Sequence, residues 1–248
     1  MDMQVWRPRL MSGQWFSHLP VSFQDSLLAA ARVRRLTAGQ RLFKRGDPPC
    51  GLYAVLEGSI RIGAVSEQGK EALLSLVEPP HWFGEICLFD GQPRTHDAYG
   101  VGQCSLLHIP QTALLKLLDE HPLYWRQLAL LMSHKLRLTF INLEQLSLLP
   151  APARLAHRLL MIAEGYGEID PPRRVLQLPQ EQLASMLSLS RQTTNQLLKE
   201  LQGQGLSAWA MARSRFWTPS GCGHWRWFKA KDRPNAARAF GRSFKIWR

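Results

Sequence analysis

The chain has 248 residues, 45% hydrophobic and 20% charged, with a formal net charge of +12. This length fits one large domain or two small ones, and the composition excludes wholesale disorder. No apolar run reaches the roughly 18–20 residues of a membrane-spanning helix, and residues 1–20 lack the apolar core of a secretory signal.

Four cysteines, Cys50, Cys87, Cys104 and Cys222, are scattered without CxxC spacing. That argues against a disulfide framework and fits a cytoplasmic setting. The charge is uneven. Residues 207–248 carry ten Lys/Arg against one Asp/Glu, and they hold five of the nine tryptophans. The basic balance points to nucleic acid, but it is mostly a property of this tail.

In chain order, residues 22–32 form a short helix with Phe23, Leu27, Leu28 and Ala31 on one side. Short alternating runs follow at 41–44, 52–56, 59–65 and 71–77, with a strand pair near 98–109. Turns at Gly46-Asp47-Pro48-Pro49, Glu57-Gly58 and Pro79-Pro80 punctuate them. This spacing predicts a β-sandwich or jelly roll. Helices take over at 111–118. After Pro122, residues 123–149 then run without Gly or Pro. There Trp125, Ala129, Met132, Leu136, Thr139, Leu143 and Leu146 recur at alternating steps of four and three, a heptad seam of the kind that joins two helices.

Pro150 and Pro152 break that helix. A helix over 154–163, a loop, a short strand at 175–178 and a helix opening at 179–181 come next. Ser188-Leu189-Ser190 interrupts, and Ser190 caps a helix over 191–202. Helix, polar turn, helix is a helix-turn-helix pattern. Ala184 suits a close crossing, and Leu197, Leu198 and Leu201 face inward. Ser190, Arg191, Gln192, Thr194, Asn195 and Lys199 are left to face outward. Arg pairs with guanine and Gln or Asn with adenine in a major groove, while Thr193, Thr194 and Lys199 suit phosphates.

Residues 179–201, with Ser188-Leu189-Ser190-Arg191-Gln192-Thr193-Thr194, resemble the helix-turn-helix of the cyclic-AMP receptor protein family, the Crp–Fnr regulators. Phe83-Gly84-Glu85 through Pro93-Arg94-Thr95 looks like that family's phosphate-binding cassette. The resemblance covers about residues 17–206. It implies an α+β fold: a cyclic-nucleotide-binding-type β-roll (jelly roll), a long dimerisation helix, and a C-terminal winged helix-turn-helix domain with the wing missing or altered. The expected domains are 1–120, 121–149 and 150–206, followed by an atypical basic tail at 207–248.

What the resemblance implies for the site is physically sensible. Arg94 would pair with a nucleotide phosphate, Thr95 would donate a hydroxyl, and Glu85 would accept from a ribose 2′-hydroxyl. Gly84 would let the backbone approach, and Thr139 would touch the base. The effector would be cAMP or another cyclic nucleotide. Phe140 stands where the family's cAMP receptor has a second hydroxyl, and His96 replaces a small residue. Glu85 and Arg94 would otherwise form an internal ion pair. Gln192 and Gln196 depart from the prototype's recognition helix and imply a different DNA target. The implied partners are double-stranded DNA, RNA polymerase and a second copy of the chain through helix 122–149, with no membrane.

No motif of nucleotide-dependent or hydrolytic enzymes occurs, so no catalytic residue is expected. The cysteines are too dispersed for an iron–sulfur cluster, and His81, His96, His108 and His134 suggest no metal site. Two other readings use the same parts: a ligand-independent DNA-binding regulator, or a cyclic-nucleotide-binding protein with impaired DNA binding. Residues 207–248 show neither strand alternation nor helical period. The abrupt change of composition reads as a shifted reading frame, with a basic DNA-gripping arm as the functional alternative and a poorly packed tail expected in either case.

Overall fold

Apolar residues alternating along short strands give this chain its roll. In a computed structural model, residues 3–68, 71–168, 176, 178–203, 208–210 and 215–217 are described. The chain divides into two units, Met1–Glu144 with Gly165–Asp170, and Gln145–Glu164 with Pro171–Arg248.

The first unit opens with a 3-10 turn (Met3–Trp6), α1 (Arg7–Leu10), α2 (Gln14–Ser17) and α3 (Val21–Ala30). An antiparallel sheet follows: β1 (Arg32–Leu36), β2 (Arg41–Phe43), β3 (Gly51–Val65), β4 (Glu71–Val77), β5 (Trp82–Phe83) and, after α4 (Ile86–Asp90), β6 (Asp97–Pro110). Its order is β1-β6-β3-β4, with β2 also on β6 and β5 also on β3.

The runs at 52–56 and 59–65 are one strand, not two. The turn expected at Glu57-Gly58 is a bulge, with register shifts on both sides of Glu57. Gly58 has φ +73°, and a Cβ there would collide with the Gln103 carbonyl, so only glycine fits. β1 escapes the sequence pattern because Arg32, Arg34 and Arg35 interrupt its apolar alternation.

The first half of strand β3, residues 51–56, is buried on both faces. Tyr53 and Val55 pack inside the roll with Leu36, Phe43, Phe83 and Leu106. Leu52, Ala54 and Leu56 face a helical layer containing Phe16, Phe23, Leu27 and Leu114. The period-2 geometry of a strand divides the two sets. α5 (Gln111–Glu120) leads to the long α6 (Tyr124–Leu148). Tyr124, Leu128 and Leu131 sit one helical turn apart and join the helical layer. The expected heptad seam lies on another face of α6, where Leu136 is 51% exposed and Leu143 and Leu146 are also exposed.

In the second unit, α7 (Ala151–Ala163) starts earlier than expected, because Pro152 falls in its first turn and needs no N–H there. α8 (Gln180–Leu187) and α9 (Arg191–Gly203) follow. Of the short strand expected at 175–178, only Leu176 and Leu178 are described; both are buried and neither is in a strand. β7 (Ala208–Ala210) and β8 (Arg215–Trp217) pair antiparallel, Ala208 opposite Trp217, where the sequence showed no alternation. The expectations for the rest of the tail lie outside the described residues. Among the described residues, no helix is long and apolar enough to cross a membrane.

Candidate functional site

The cassette occupies the stretch from β5 to β6. Gly84 has φ +99°, and a Cβ there would sit 2.8 Å from the Gly51 carbonyl and 2.9 Å from Arg94 Nη1. Glycine therefore lets the Arg94 guanidinium close against the backbone.

Arg94 is 4% exposed. Its Nη1 donates to the Gly84 carbonyl at 2.9 Å, and its Nη2 donates to the Gly51 carbonyl at 2.6 Å and to Cys50 Sγ at 3.0 Å. The guanidinium lies over the Phe43 ring at 4.5 Å and near Tyr53 at 5.9 Å. Its backbone is clamped by the preceding turn, with Arg94 N–H on the Asp47 carbonyl and Gly46 N–H on the Arg94 carbonyl, both at 2.8 Å. A buried cation is thus neutralised by dipoles and ring faces, without a carboxylate.

Glu85 is 2% exposed, and it pairs with Lys135 of α6, Oε2 to Nζ at 2.7 Å. Lys135 also donates to the Trp82 carbonyl at 2.7 Å. The internal Glu85–Arg94 ion pair is therefore not what forms: a nearer cation on the long helix takes the carboxylate, and backbone carbonyls take the guanidinium. Lys135 was missed in the sequence. Its signal was its place one turn before Thr139.

Gly84, Glu85 and Arg94 come together, while Thr95 and Thr139 bond elsewhere. Thr95 is exposed and its Oγ1 lies 2.9 Å from His96 Nδ1. Thr139 is exposed and donates back to the Lys135 carbonyl at 2.9 Å. The next residue, Phe140, is 61% exposed. Around Arg94, burial pushes the Tyr53 hydroxyl far above its ordinary range, with the Cys50 thiol adding to the shift. Burial pushes His108 down, with Arg34, Arg94 and Arg32 adding repulsion, against an opposing hydrogen bond to the Cys50 carbonyl. Burial raises the Cys87 thiol, opposed by Arg94. Among the described residues, no group of three or more His, Cys, Asp or Glu is placed to hold a metal ion.

The helix-turn-helix is built as a tight pair. Ser188 turns the chain in the left-handed region, and Leu189 N–H returns to the Ala184 carbonyl at 3.0 Å. Ser190 Oγ accepts the Thr193 N–H at 3.0 Å, a side-chain cap on α9. Ala184, Leu187, Leu197, Leu198 and Leu201 are buried. Arg191, Gln192, Thr193, Gln196 and Lys199 are exposed and Asn195 is half-buried. Thr194 corrects the sequence assignment. It is 0% exposed, and its Oγ1 donates to the Ser190 carbonyl at 3.0 Å. Four residues separate it from Leu198, so both lie on the inner face and it cannot face outward.

Comparison with known proteins agrees with this geometry. A cyclic nucleotide-binding domain model matches residues 33–121, and a Crp-like helix-turn-helix domain model matches residues 153–215. A CRP-like cAMP-activated global transcriptional regulator of Mycobacterium tuberculosis is 31% identical over 169 residues, 67% of this chain and 75% of the relative. The cyclic AMP receptor protein of Thermus thermophilus is 30% identical over 183 residues, 73% of this chain and 82% of the relative. Among solved structures, the c-di-GMP responsive global regulator CLP of Xanthomonas campestris shares the fold. Its TM-score is 0.63 at 24% identity, over 78% of this chain and 97% of that one. FixK2 of Bradyrhizobium japonicum gives a TM-score of 0.66 at 19% identity, over 75% of this chain and 91% of that one. With a cyclic nucleotide-binding domain followed by a Crp-like helix-turn-helix domain, the chain belongs to the Crp–Fnr family of DNA-binding transcription regulators.

Proposed function

We propose that this regulator senses a cyclic nucleotide, cAMP foremost, through Gly84, Glu85, Arg94, Thr95 and Thr139. The observation carrying this reading is the nearly complete burial of Glu85 and Arg94 on neighbouring backbone, each charge compensated by a different partner. A phosphate would draw Arg94 from neutral acceptors to an anion, a stronger bidentate contact. A ribose hydroxyl at Glu85 would compete with Lys135, and so would report binding to the long helix. Residues 1–120 form the sensor, 121–149 the dimer helix and 150–206 the DNA-binding domain.

Two copies join through helix 122–149 and read a palindrome in the cytoplasm. Arg191, Gln192 and Asn195 meet base edges, and Ser190 and Lys199 meet phosphates. RNA polymerase is the further partner. The exposed heptad positions on α6 support the dimer, and the capped, outward N-terminus of α9 supports base reading. One observation favours a ligand-independent regulator instead: the two Nη groups of Arg94 are already bonded to protein acceptors.

The test is selection of bound fragments from a genomic DNA library at one fixed, near-physiological salt concentration, with and without cAMP. A palindrome enriched only with cAMP, and lost in Arg94→Ala, supports the sensor. Equal enrichment without cAMP and in Arg94→Ala supports the ligand-independent reading. Salt-sensitive, sequence-blind binding removes the base-reading role of α9.

A further inference from the structure

We infer that residues 165–168 are a strap whose attachment to the rest of the first unit requires a proton on His81. The strap is held at several points. The Gly165 carbonyl accepts from His81 Nε2 at 2.7 Å, and the Tyr166 carbonyl accepts from His134 Nε2 at 2.8 Å. Gln14 N–H donates to the Glu168 carbonyl at 3.3 Å, and Trp15 N–H donates to Glu168 Oε2 at 3.0 Å. Tyr166 sits at φ 53°, in the left-handed region. A non-glycine residue stays there only where its surroundings fix it.

The proton follows from hydrogen-bond chemistry. His81 Nε2 faces the Gly165 carbonyl, and its Nδ1 faces the Glu78 carbonyl at 2.6 Å. Carbonyl oxygens only accept, and a neutral imidazole has one N–H. Only the imidazolium makes both bonds; in the neutral ring, one nitrogen lone pair points at an oxygen lone pair. His134 differs, since a neutral ring with Nε2–H satisfies the Tyr166 carbonyl. Among the described residues, the titratable and charged groups around His81 and the strap include Glu78 on its own turn, Tyr166 (ring edge-on at 6.2 Å) and Glu168 on the strap, Glu164 just before it, whose carboxyl burial pushes up, and His134 and Lys135 on α6, with His134 Nε2 3.9 Å from Glu168 Oε1. The α2 segment contributes only Gln14, Trp15, Phe16 and Ser17, none of them charged.

The placement gives the proton something to control. His81 immediately precedes Trp82, whose carbonyl holds Lys135, and it lies four residues before Glu85. On both sides in the chain, the strap is flanked by segments of the second unit. The proton on His81 therefore fastens residues 165–168 to the edge of the cassette.

The test is amide hydrogen exchange on the full chain at pH 5.5 and 8.0, corrected for intrinsic exchange, read at Trp15 and Glu168. Protection falls at least tenfold from pH 5.5 to 8.0 in the wild type. His81→Gln shows low protection at both pH values with no step, while His134→Gln keeps the step. Histidine side-chain nitrogen spectra of the wild type at pH 5.5 show His81 with both nitrogens protonated. A pH-independent wild type, a step surviving in His81→Gln, or a neutral His81 at pH 5.5 overturns the inference.

Discussion

Lys135 extends from α6 to place its ammonium 2.7 Å from the Glu85 carboxylate, tying the long helix to the cassette. Removing one partner of a buried pair leaves the other charge stranded. Lys135→Met is expected to cost roughly 2–4 kcal/mol, below the top of the buried-pair range because Lys135 is partly exposed. Adding Glu85→Gln recovers most of that loss. Urea unfolding of the single and double variants measures it, and a loss below about 1 kcal/mol for Lys135→Met would mean that solvent screens the pair.

Thr194 and Arg191 lie three positions apart on α9 yet predict opposite outcomes. Thr194→Val keeps the buried shape and loses one hydrogen bond, costing about 1 kcal/mol of stability while leaving DNA sequence preference unchanged. Arg191→Ala leaves stability nearly unchanged and weakens specific DNA binding by about 1–3 kcal/mol per half-site. Thermal unfolding paired with DNA titration at fixed salt separates the two.

The two faces of α6 respond differently to substitution. Leu128 is fully buried, so Leu128→Ala destabilises the first unit by about 2–5 kcal/mol. Leu143 is exposed in the single chain, so Leu143→Glu leaves the roll folded and shifts the chain from dimer to monomer. Sedimentation analysis reads the mass and circular dichroism reads the fold. A Leu143→Glu protein that stays dimeric places the seam elsewhere.

Acidification is expected to weaken the roll through His108. Burial holds its folded-state affinity for a proton below that of the unfolded chain, and the flanking arginines add to this. As pH falls below the ordinary histidine range, about 6.5, the unfolded chain binds a proton that the folded chain resists, so stability drops. It is fully recovered above that range. His108→Gln flattens the fall in Tm between pH 7.5 and 5.0, whereas an unchanged slope assigns the effect to other groups.

Much of this architecture was legible because its signals are local. Ser190 as a cap, a small buried Ala184 in the helix-turn-helix and the long helix after Pro122 each follow from residue type and spacing. The β1 strand was hidden by its arginines, and the bulge at Gly58 looked like a turn, because both features depend on contacts with β6. The partners of Glu85 and Arg94 were not legible either. Lys135, Gly51 and Cys50 lie 43 to 50 positions from the groups they bond, and no spacing rule spans that distance. Thr194 was misplaced because polarity was taken as exposure, although a threonine can satisfy its own hydroxyl on the preceding turn.

The long helix has the build of an axle, held along one side and open along the other. Tyr124, Leu128 and Leu131 are gripped by the roll of their own chain, and Leu136, Leu143 and Leu146 look away from it. A rigid helix cannot turn one side without turning the other. Lys135, held at Glu85, lies one position before the first residue of that outward row, Leu136. The placement of Leu136 and Leu143 is set by the grip of the roll on Tyr124, Leu128 and Leu131.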